Sequence, residues 1–243
     1  MKNLVKVVFA TFFACNAWVV HGQYAIGDMD LDRDLATWYD HAMKTENLPV
    51  LEGTFYPLPH ITSKEGPYFK SNRWAEGSVV LAGEKYENLF LLYNVFDDLL
   101  ILRNMALKDA RIESMLPNQK KVEAFNIHGH QFVRLTEPLV PRNGIGFYEL
   151  FFDGDSIDFF IKKTKIELLQ DRKVVFKNED QFFFYDGQQF VKYKSKKSIY
   201  RHFPEIKAKL KPKGSFLNMN LKNNEREGMW TWLNYADGLL SEE

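Results

Sequence analysis

The chain has 243 residues, and its 32 basic and 32 acidic side chains give a formal net charge of zero. With 45% apolar and 26% charged residues the composition is that of a globular protein, and the charge balance predicts no bulk attraction to nucleic acid or to an anionic surface. Aromatic residues make up 15% of the sequence and gather in short alternating runs, so the composition favours β structure. The length is sufficient for one large domain or two small ones with a full hydrophobic core.

The first 22 residues have the pattern of a secretory signal peptide. Lys2 and Lys6 precede an apolar run over residues 7–20, and the small residue Gly22 allows cleavage before Gln23. The run is shorter than the roughly 20 residues needed to span a bilayer, so we expect no transmembrane span in the mature chain. The sequence therefore predicts an exported chain that is periplasmic or secreted after cleavage.

Cys15 is the only cysteine and lies within this N-terminal segment. Lipid attachment at Cys15 is the alternative to cleavage at Gly22, but the apolar run continues past the cysteine, where a lipidated residue usually begins a polar tether. Cleavage would leave no cysteine, which excludes disulfides, a cysteine nucleophile and a thiolate metal site. The mature chain would carry 30 basic and 32 acidic residues, because the removed segment contains two lysines and no acid.

Residues 23–67 are predicted to form an N-terminal helix and a proline-rich strap. Leu35, Trp38 and Ala42 recur at helical spacing, which indicates a helix over about 33–44. Four prolines follow in the second half of this segment, and each removes a backbone hydrogen-bond donor. We therefore expect the strap to be extended and irregular until the sheet begins near residue 68.

Residues 68–194 are predicted to form an antiparallel β body. The stretch 77–104 indicates a three-stranded meander, and its middle strand is apolar on both faces because Leu91 and Tyr93 alternate with Leu92. A strand of this kind is covered on both faces, so we expect it at the centre of the fold. The predicted strands, about ten in all, lie at 77–82, 85–94, 99–103, 121–127, 131–135, 146–152, 157–163, 173–177, 181–185 and 188–194.

The predicted fold class is mainly β: an antiparallel meander, barrel-like or sandwich, with an N-terminal helix and a C-terminal pair of helices. The pair belongs to residues 195–243, a helical appendage of the same domain. Apolar residues at helical spacing, interrupted by Pro204, indicate a kinked helix or two short helices over about 196–211. The next helix is expected over about 225–239, since a capping-box pattern begins at Asn224. We expect these helices to cover one face of the opening meander.

Several weak motifs follow one another in a specific order over roughly residues 70–240. They are Trp74, Gly77 and Val79 in W-x-x-G-x-V, then Tyr86, Asn88, Leu91 and Tyr93, then Asp98, Leu100 and Ile101, then FYELFFDG, SKKSIYRHFPEIKAKLK and NYAD. In this order the chain resembles a widespread group of uncharacterised secreted proteins of Bacteroidota. The resemblance implies export, a β-rich body with a helical C-terminal tail and no established activity, so it transfers no catalytic residue.

Two sets of residues are candidates for ligand or partner binding. A cavity in the β body would take a small ligand or glycan on aromatic side chains, and the candidates are Trp74, Phe90, Tyr93, Tyr148 and Phe160. Nine basic residues and one acid between 192 and 213 could contact an anionic partner, and the candidates are Lys192, Lys194, Lys196, Lys197, Arg201 and Lys207. The ordinary alternatives are a hydrophobic core and the solvated face of a helix.

Two histidines raise the question of a metal site. His128 and His130 flank Gly129, and His60 or His202 would have to supply a third ligand in space. A turn between two strands is the favoured interpretation of this sequence. We therefore predict no metal and no other cofactor.

Three acids lie at the tip of a predicted hairpin between two very apolar strands: Asp153, Asp155 and Asp158. A pair of carboxylates in different environments can hydrolyse glycosides by acid–base chemistry. Solubilising turn residues are the favoured interpretation, and Glu149 in the preceding strand adds little to the case for catalysis. The G-x-S-x-G, phosphate-loop and H-E-x-x-H signatures are absent from the sequence.

The sequence favours an exported, non-enzymatic protein of the cell envelope that acts by binding or assembly. The expected partner is another envelope protein or an anionic envelope component. The first alternative is a small-ligand or glycan-binding β protein with an aromatic cavity, and the second is a secreted carboxylate-dependent hydrolase. Aromatic side chains in an open, partly polar pocket would favour the first alternative, and acids that converge in a cleft would favour the second.

Overall fold

The computed structural model describes residues 50, 52–61, 66–103, 114–170, 173–216 and 226–242. The predicted N-terminal helix, the predicted cleavage site and the cap at Asn224 lie outside these ranges. Within them the chain forms thirteen β-strands and three α-helices. The strands are β1 (Gly53–Phe55), β2 (Ala75–Leu81), β3 (Glu84–Asn94), β4 (Leu99–Arg103), β5 (Ser114–Pro117), β6 (Val122–Ile127), β7 (His130–Leu135), β8 (Gly146–Phe152), β9 (Asp158–Lys162), β10 (Lys165–Gln170), β11 (Lys173–Asn178), β12 (Gln181–Tyr185) and β13 (Phe190–Tyr193), and the helices are α1 (Lys196–His202), α2 (Lys207–Phe216) and α3 (Arg226–Ser241).

Eleven of these strands form one antiparallel sheet in the order β1-β5-β4-β3-β2-β6-β7-β8-β9-β12-β13. β10 and β11 pair with each other as a hairpin that leaves the sheet between β9 and β12. The prediction of a mainly β, antiparallel fold is confirmed, but the sheet is open and is neither a closed barrel nor two stacked sheets. The predicted alternative of two short helices is confirmed for α1 and α2, which are separated at Pro204.

Three strands, β1, β5 and β10, lie outside the predicted strands. β1 has three residues inside the proline-rich strap, and β5 has four residues and ends at Pro117, so neither carries an alternating pattern long enough to recognise. They pair with each other in the order Gly53 to Pro117 and Phe55 to Met115. The sheet therefore begins at Gly53 and not near residue 68 as predicted.

The link between β5 and β6 forces the first half of the sheet to curl. The two strands are four positions apart in the sheet, which is about 19 Å if the sheet is flat. Residues 118–121 join them in a tight turn, in which the amide of Lys121 donates to the carbonyl of Asn118 at 2.8 Å. The ends of such a turn lie within about 7 Å of each other, so a flat arrangement is excluded. The side-chain amide of Gln119 holds the turn to both backbone groups of Leu100, at 2.9 and 2.8 Å.

The curled half encloses an aromatic core on its inner face, the face that carries Phe132 and Phe147. Phe125 and Phe132 stack with 4.8 Å between their ring centroids, and Tyr93 packs 4.9 Å from Phe132. On the outer face, Leu92 is covered by side chains of the strap and its surroundings, namely Tyr56, Leu58, Ile61, Tyr68 and Trp74. The prediction that the middle strand of the meander is covered on both faces is confirmed.

The three helices cover the inner face of the other half of the sheet, over β8, β9, β12 and β13. Their buried contacts with these strands include Phe159, Phe184, Ile199, Leu210 and Trp232. Asp237 on α3 fixes the helix to the β8–β9 loop, because its carboxylate accepts hydrogen bonds from the amides of Asp155, Ser156 and Ile157 at 3.1, 2.8 and 3.0 Å. The prediction that the helices cover the opening meander is wrong, since the curled sheet and the strap already cover it.

Candidate functional site

Glu149 lies on β8 where the inner face passes from the curled half of the sheet to the helix-covered half. It pairs with Phe132 of the first core on one side and with Ile161 of the second core on the other. Its side chain shares the inner face with Phe147, two residues earlier on the strand. Glu149 is only 1% exposed, and a buried carboxylate requires charged or hydrogen-bonding partners to remain ionised.

Glu149 has three partners, each from a different element. His130 Nδ1 on β7 donates to its Oε1 at 2.6 Å, Lys163 Nζ after β9 lies 3.3 Å from its Oε2, and the guanidinium of Arg226 at the start of α3 contacts Oε1. Lys163 also contacts Asp180 at 2.8 Å, just before β12. His130, Glu149, Lys163 and Asp180 therefore form an ionic row across four neighbouring strands. Burial alone would raise the pKa of Glu149, but the His130 hydrogen bond and the charges of Lys163 and Arg226 lower it to about 2.

Phe69, Lys70 and His128 form the rim of the ionic row. The Phe69 ring lies 5.1 Å from the ring of His130 and 6.2 Å from that of His128, and the ammonium of Lys70 lies 5.7 Å from the Phe69 centroid. Lys70 and His128 are exposed, and both have positive φ, 57° and 53°. Side chains rarely adopt this backbone region, so the geometry of these two residues is set by the surrounding structure.

His128 and Gly129 form the turn between β6 and β7. The favoured interpretation of the sequence from His128 to His130, a turn between two strands, is therefore confirmed. His128 and Gly129 both have positive φ, 53° and 73°, as the two central positions of a tight hairpin turn require. The Nδ1 atom of His130 is occupied by Glu149. Among the described residues, no group of three or more histidines, cysteines and acids is placed to hold a metal ion.

The charges of the site do not balance. Lys70, Lys163 and Arg226 are cationic, whereas Glu149 and Asp180 are anionic. Burial and the nearby Arg226 and Lys163 lower the pKa of Lys70, and burial together with Lys70 and His130 lowers the pKa of His128. Within the described part of the chain, no carboxylate lies within 4 Å of the Lys70 ammonium. The rim can therefore accept the negative charge of a ligand.

A groove of about 790 Å³ adjoins the ionic row at Asp180. Phe182 of β12 and Tyr193 of β13 are direct cross-strand partners and form its half-buried aromatic surface. Phe159 supports them from the core, 5.1 Å from Tyr193 and 6.4 Å from Phe182. The remaining lining residues are polar or charged: Lys177, Asn178, Glu179, Asp180, Gln181, Lys192 and Lys194.

The structure does not bring the five candidate aromatic residues together in one cavity. Tyr93 is fully buried in the inner core, where its hydroxyl donates to Asp98 at 2.6 Å. Tyr148 and Phe160 belong to a cluster on the outer face, and Trp74 covers Leu92 elsewhere on that face. Phe90 is half-buried on β3. The ordinary interpretation, hydrophobic core, fits all but Phe90.

The six candidate basic residues do not form one continuous surface and have three different surroundings. Lys192 and Lys194 line the groove, and Lys192 also donates to the side chain of Gln181 at 2.7 Å. Lys196 is half-buried and donates to the carbonyl of Gly214, which ties α1 to α2. The other three, Lys197, Arg201 and Lys207, are exposed on α1 and at the start of α2.

The candidate acids and the remaining histidines have structural roles or stand apart. Both oxygens of Asp237 are occupied by the β8–β9 loop that carries Asp155, and Asp158 accepts the amide of Gly154 at 3.2 Å in the same loop. His202 Nε2 lies 2.6 Å from Asp186 Oδ2 and joins α1 to the β12–β13 turn. His60 is exposed in the strap.

Sequence reasoning missed the ionic row. The available signal was Glu149 itself, the single charged residue in the otherwise apolar strand GFYELFF. Its partners are distant in sequence, 19 residues away for His130 and 77 for Arg226, so no local spacing marks them. Among the described residues, no helix is both long and apolar enough to cross a membrane. No protein family, curated protein or solved structure matches this chain.

Proposed function

We propose that this chain is an exported, non-enzymatic binding protein of the cell envelope, and that it captures a ligand through an anionic group at the rim formed by Phe69, Lys70 and His128. The group is a carboxylate or a phosphate. The observation that carries this proposal is the excess of positive charge around the buried Glu149, with Lys70 left without a carboxylate partner among the described residues.

The arrangement is suited to binding because its inner part is already fixed. Glu149 holds Arg226, Lys163 and His130 in place, so a ligand does not have to order these side chains itself. Lys70 lies over an aromatic ring and in a constrained backbone conformation, which limits its freedom before binding. An anion at this rim would gain charge-assisted hydrogen bonds, which are stronger than neutral ones.

The two other functions considered from the sequence receive less support. The candidate aromatic residues lie on both faces of the sheet, so they do not favour a single aromatic cavity. Among the acids of the β8–β9 loop, Asp158 accepts the backbone amide of Gly154, whereas Asp155 contacts α3 only through its own backbone amide, so these contacts order the loop and do not point to hydrolysis. Binding at the ionic row remains the function that the geometry supports best.

The proposal is tested by the binding of two simple probes, inorganic phosphate and succinate, to the processed protein at constant ionic strength. Thermal stabilisation as a function of probe concentration gives the dissociation constant. We expect Lys70→Gln to weaken binding at least fivefold, because it removes the unpaired cation and leaves the ionic row intact. Lys120→Gln is the matched control, since Lys120 is exposed in the β5–β6 turn away from the site.

Binding of the anion should raise the pKa of His128, which burial and the neighbouring Lys70 and His130 hold below its ordinary value, because the protonated imidazole adds positive charge beside the anion. Equal affinity of the Lys70→Gln and Lys120→Gln proteins would contradict the proposed site. Absence of binding by both probes at millimolar concentration would contradict the proposed ligand chemistry.

A further inference from the structure

The groove of about 790 Å³ beside β13 has the size of a ligand pocket and is separate from the rim at Lys70. It lies along the edge of the sheet, where β12 and β13 end the strand order. Its aromatic surface, the Phe182–Tyr193 platform, consists of two side chains that are paired directly across the two strands and whose rings are inclined to each other, since they lie at 30° and 75° to the ring of Phe159. Phe159 packs against both rings from the core and fixes the platform.

The polar residues around the platform include both acceptors and donors of hydrogen bonds. Asp180 is already oriented, because Lys163 donates to its carboxylate at 2.8 Å. Asn178 and Glu179 complete this side of the groove. Burial raises the pKa of Tyr193 to about 12, so its phenol remains a neutral hydroxyl at physiological pH. Amides, carboxylates and a hydroxyl next to an aromatic surface match a sugar ring, which presents apolar C–H faces and hydroxyls at its edge.

Three lysines, Lys177, Lys192 and Lys194, line the groove together with two acids, Glu179 and Asp180. Asp180 is neutralised by Lys163, which lies outside the lining, so the lining carries an excess of positive charge. This favours a ligand with a negative substituent. A single-stranded nucleic acid is disfavoured, because it brings one phosphate for every stacked base and the two carboxylates would repel these phosphates. Sugar hydroxyls, in contrast, donate hydrogen bonds readily to carboxylates.

We propose that the groove binds an acidic oligosaccharide, with one sugar ring on the Phe182–Tyr193 platform and a sugar carboxylate near Lys177 and Lys194. The ring hydroxyls are bound by Asn178 and Glu179. This site does not depend on the anion site at Lys70, and the two have different variants, so one can fail without the other.

The probe is a trimer of galacturonate, titrated calorimetrically into the processed protein, with a neutral galactose trimer as its counterpart. We expect the galacturonate trimer to bind and the neutral trimer to bind at least tenfold more weakly. The double variant Lys177→Gln/Lys194→Gln should lose at least tenfold in affinity, because both side chains are exposed and their removal leaves the fold intact. Lys173→Gln is the matched control on the same hairpin, since Lys173 is exposed and does not line the groove.

A second variant tests the hydroxyl of Tyr193 and keeps both rings of the platform. Tyr193→Phe keeps the packing on Phe159 and removes one hydroxyl, so the affinity should fall about three- to tenfold. No binding of the galacturonate trimer at millimolar concentration would overturn the proposal. Equal binding of the neutral trimer, of monomeric galacturonate or of an oligo-dT strand would also overturn it, since each would show that acidic sugar rings are not what the groove selects. An effect of Lys173→Gln as large as that of the double variant would place the site elsewhere.

Discussion

Replacement of Glu149 by glutamine isolates the contribution of its negative charge, because the two side chains have nearly the same shape. The pKa of Glu149 is about 2 in the folded protein and 4.5 in its ordinary state. A difference of about 2.5 pKa units corresponds to a stabilisation of about 3 kcal/mol. We therefore expect Glu149→Gln to lower the free energy of unfolding by about 3 kcal/mol at neutral pH, in the range found when one partner of a buried ion pair is removed.

The effect has a defined pH dependence. Because the folded-state pKa lies below the unfolded value, the stabilisation is complete above about pH 4.5 and is lost as the pH falls towards 2. The Glu149→Gln protein lacks this contribution at every pH, so the difference between the two proteins should shrink over that interval. Other carboxylates titrate equally in both proteins and cancel in the comparison.

Urea unfolding followed by tryptophan fluorescence, at several values between pH 7 and pH 3, measures this difference. The matched control is Glu76→Gln, which changes the same residue type at an exposed position of β2 and should alter stability by less than about 0.5 kcal/mol. A difference between wild type and Glu149→Gln that stays constant across the pH range would refute the reasoning. So would a difference at neutral pH as small as that of the control.

Three further variants test the packing that places the site. Phe132→Ala removes a fully buried ring from the inner core, so it should destabilise the protein by about 3–5 kcal/mol in urea unfolding. Gly146→Ala would put a Cβ 2.0 Å from Asp98 Oδ2 at a φ of 154°, so it should lower the free energy of unfolding by about 2–3 kcal/mol. The control is Gly238→Ala, at an open helical position, which should stabilise the protein slightly. Asp237→Ala leaves three loop amides without their acceptor. We expect it to lower the free energy of unfolding by about 2–3 kcal/mol and to speed amide hydrogen exchange in the β8–β9 loop. Unchanged exchange would show that α3 does not hold the loop.

The sequence predicts most of the strands because their signal is local. The run 146–152 has the predicted bounds, and β12 and β13 lie within the predicted strands 181–185 and 188–194. β1 and β5 were not predictable in this way, since they are short strands next to prolines, and β1 pairs with a strand that lies 64 residues away, at Gly53 and Pro117. The central meander is buried because the sheet curls over it. This curl follows from the pairing of β2 with β6, and no pattern in the neighbouring sequence marks that pairing.

The ionic row was less predictable than the fold, because a polar residue such as Glu149 within an apolar strand does not show which distant residues it contacts. In the sequence, His130 has the pattern of a turn residue, and Glu149 interrupts an apolar strand. Only the hydrogen bond between the two side chains shows that they belong to one site. The basic candidates form one run of sequence, but they lie in separate places in the structure: Lys192 and Lys194 at the groove, and Lys196 between two helices. Tyr93 and Tyr148 have the same ring type, but packing directs them to opposite faces of the sheet.

The position of Glu149 argues that the ionic row serves more than stability. A leucine at this position would join the two inner cores without any desolvation of charge, and buried ion pairs are often no more stabilising than apolar residues of similar volume. The chain instead places a carboxylate where the sheet changes from one cover to another, and draws one partner from the neighbouring strand, one from the end of β9 and one from the first turn of α3. The same carboxylate thereby fixes the docking of α3 and orients the cations beneath Lys70. Binding of an anion at the proposed rim site should consequently stabilise the contact between α3 and β8 as well as the rim itself, because ligand binding and the junction between the two halves of the sheet would then share Glu149 and its cations.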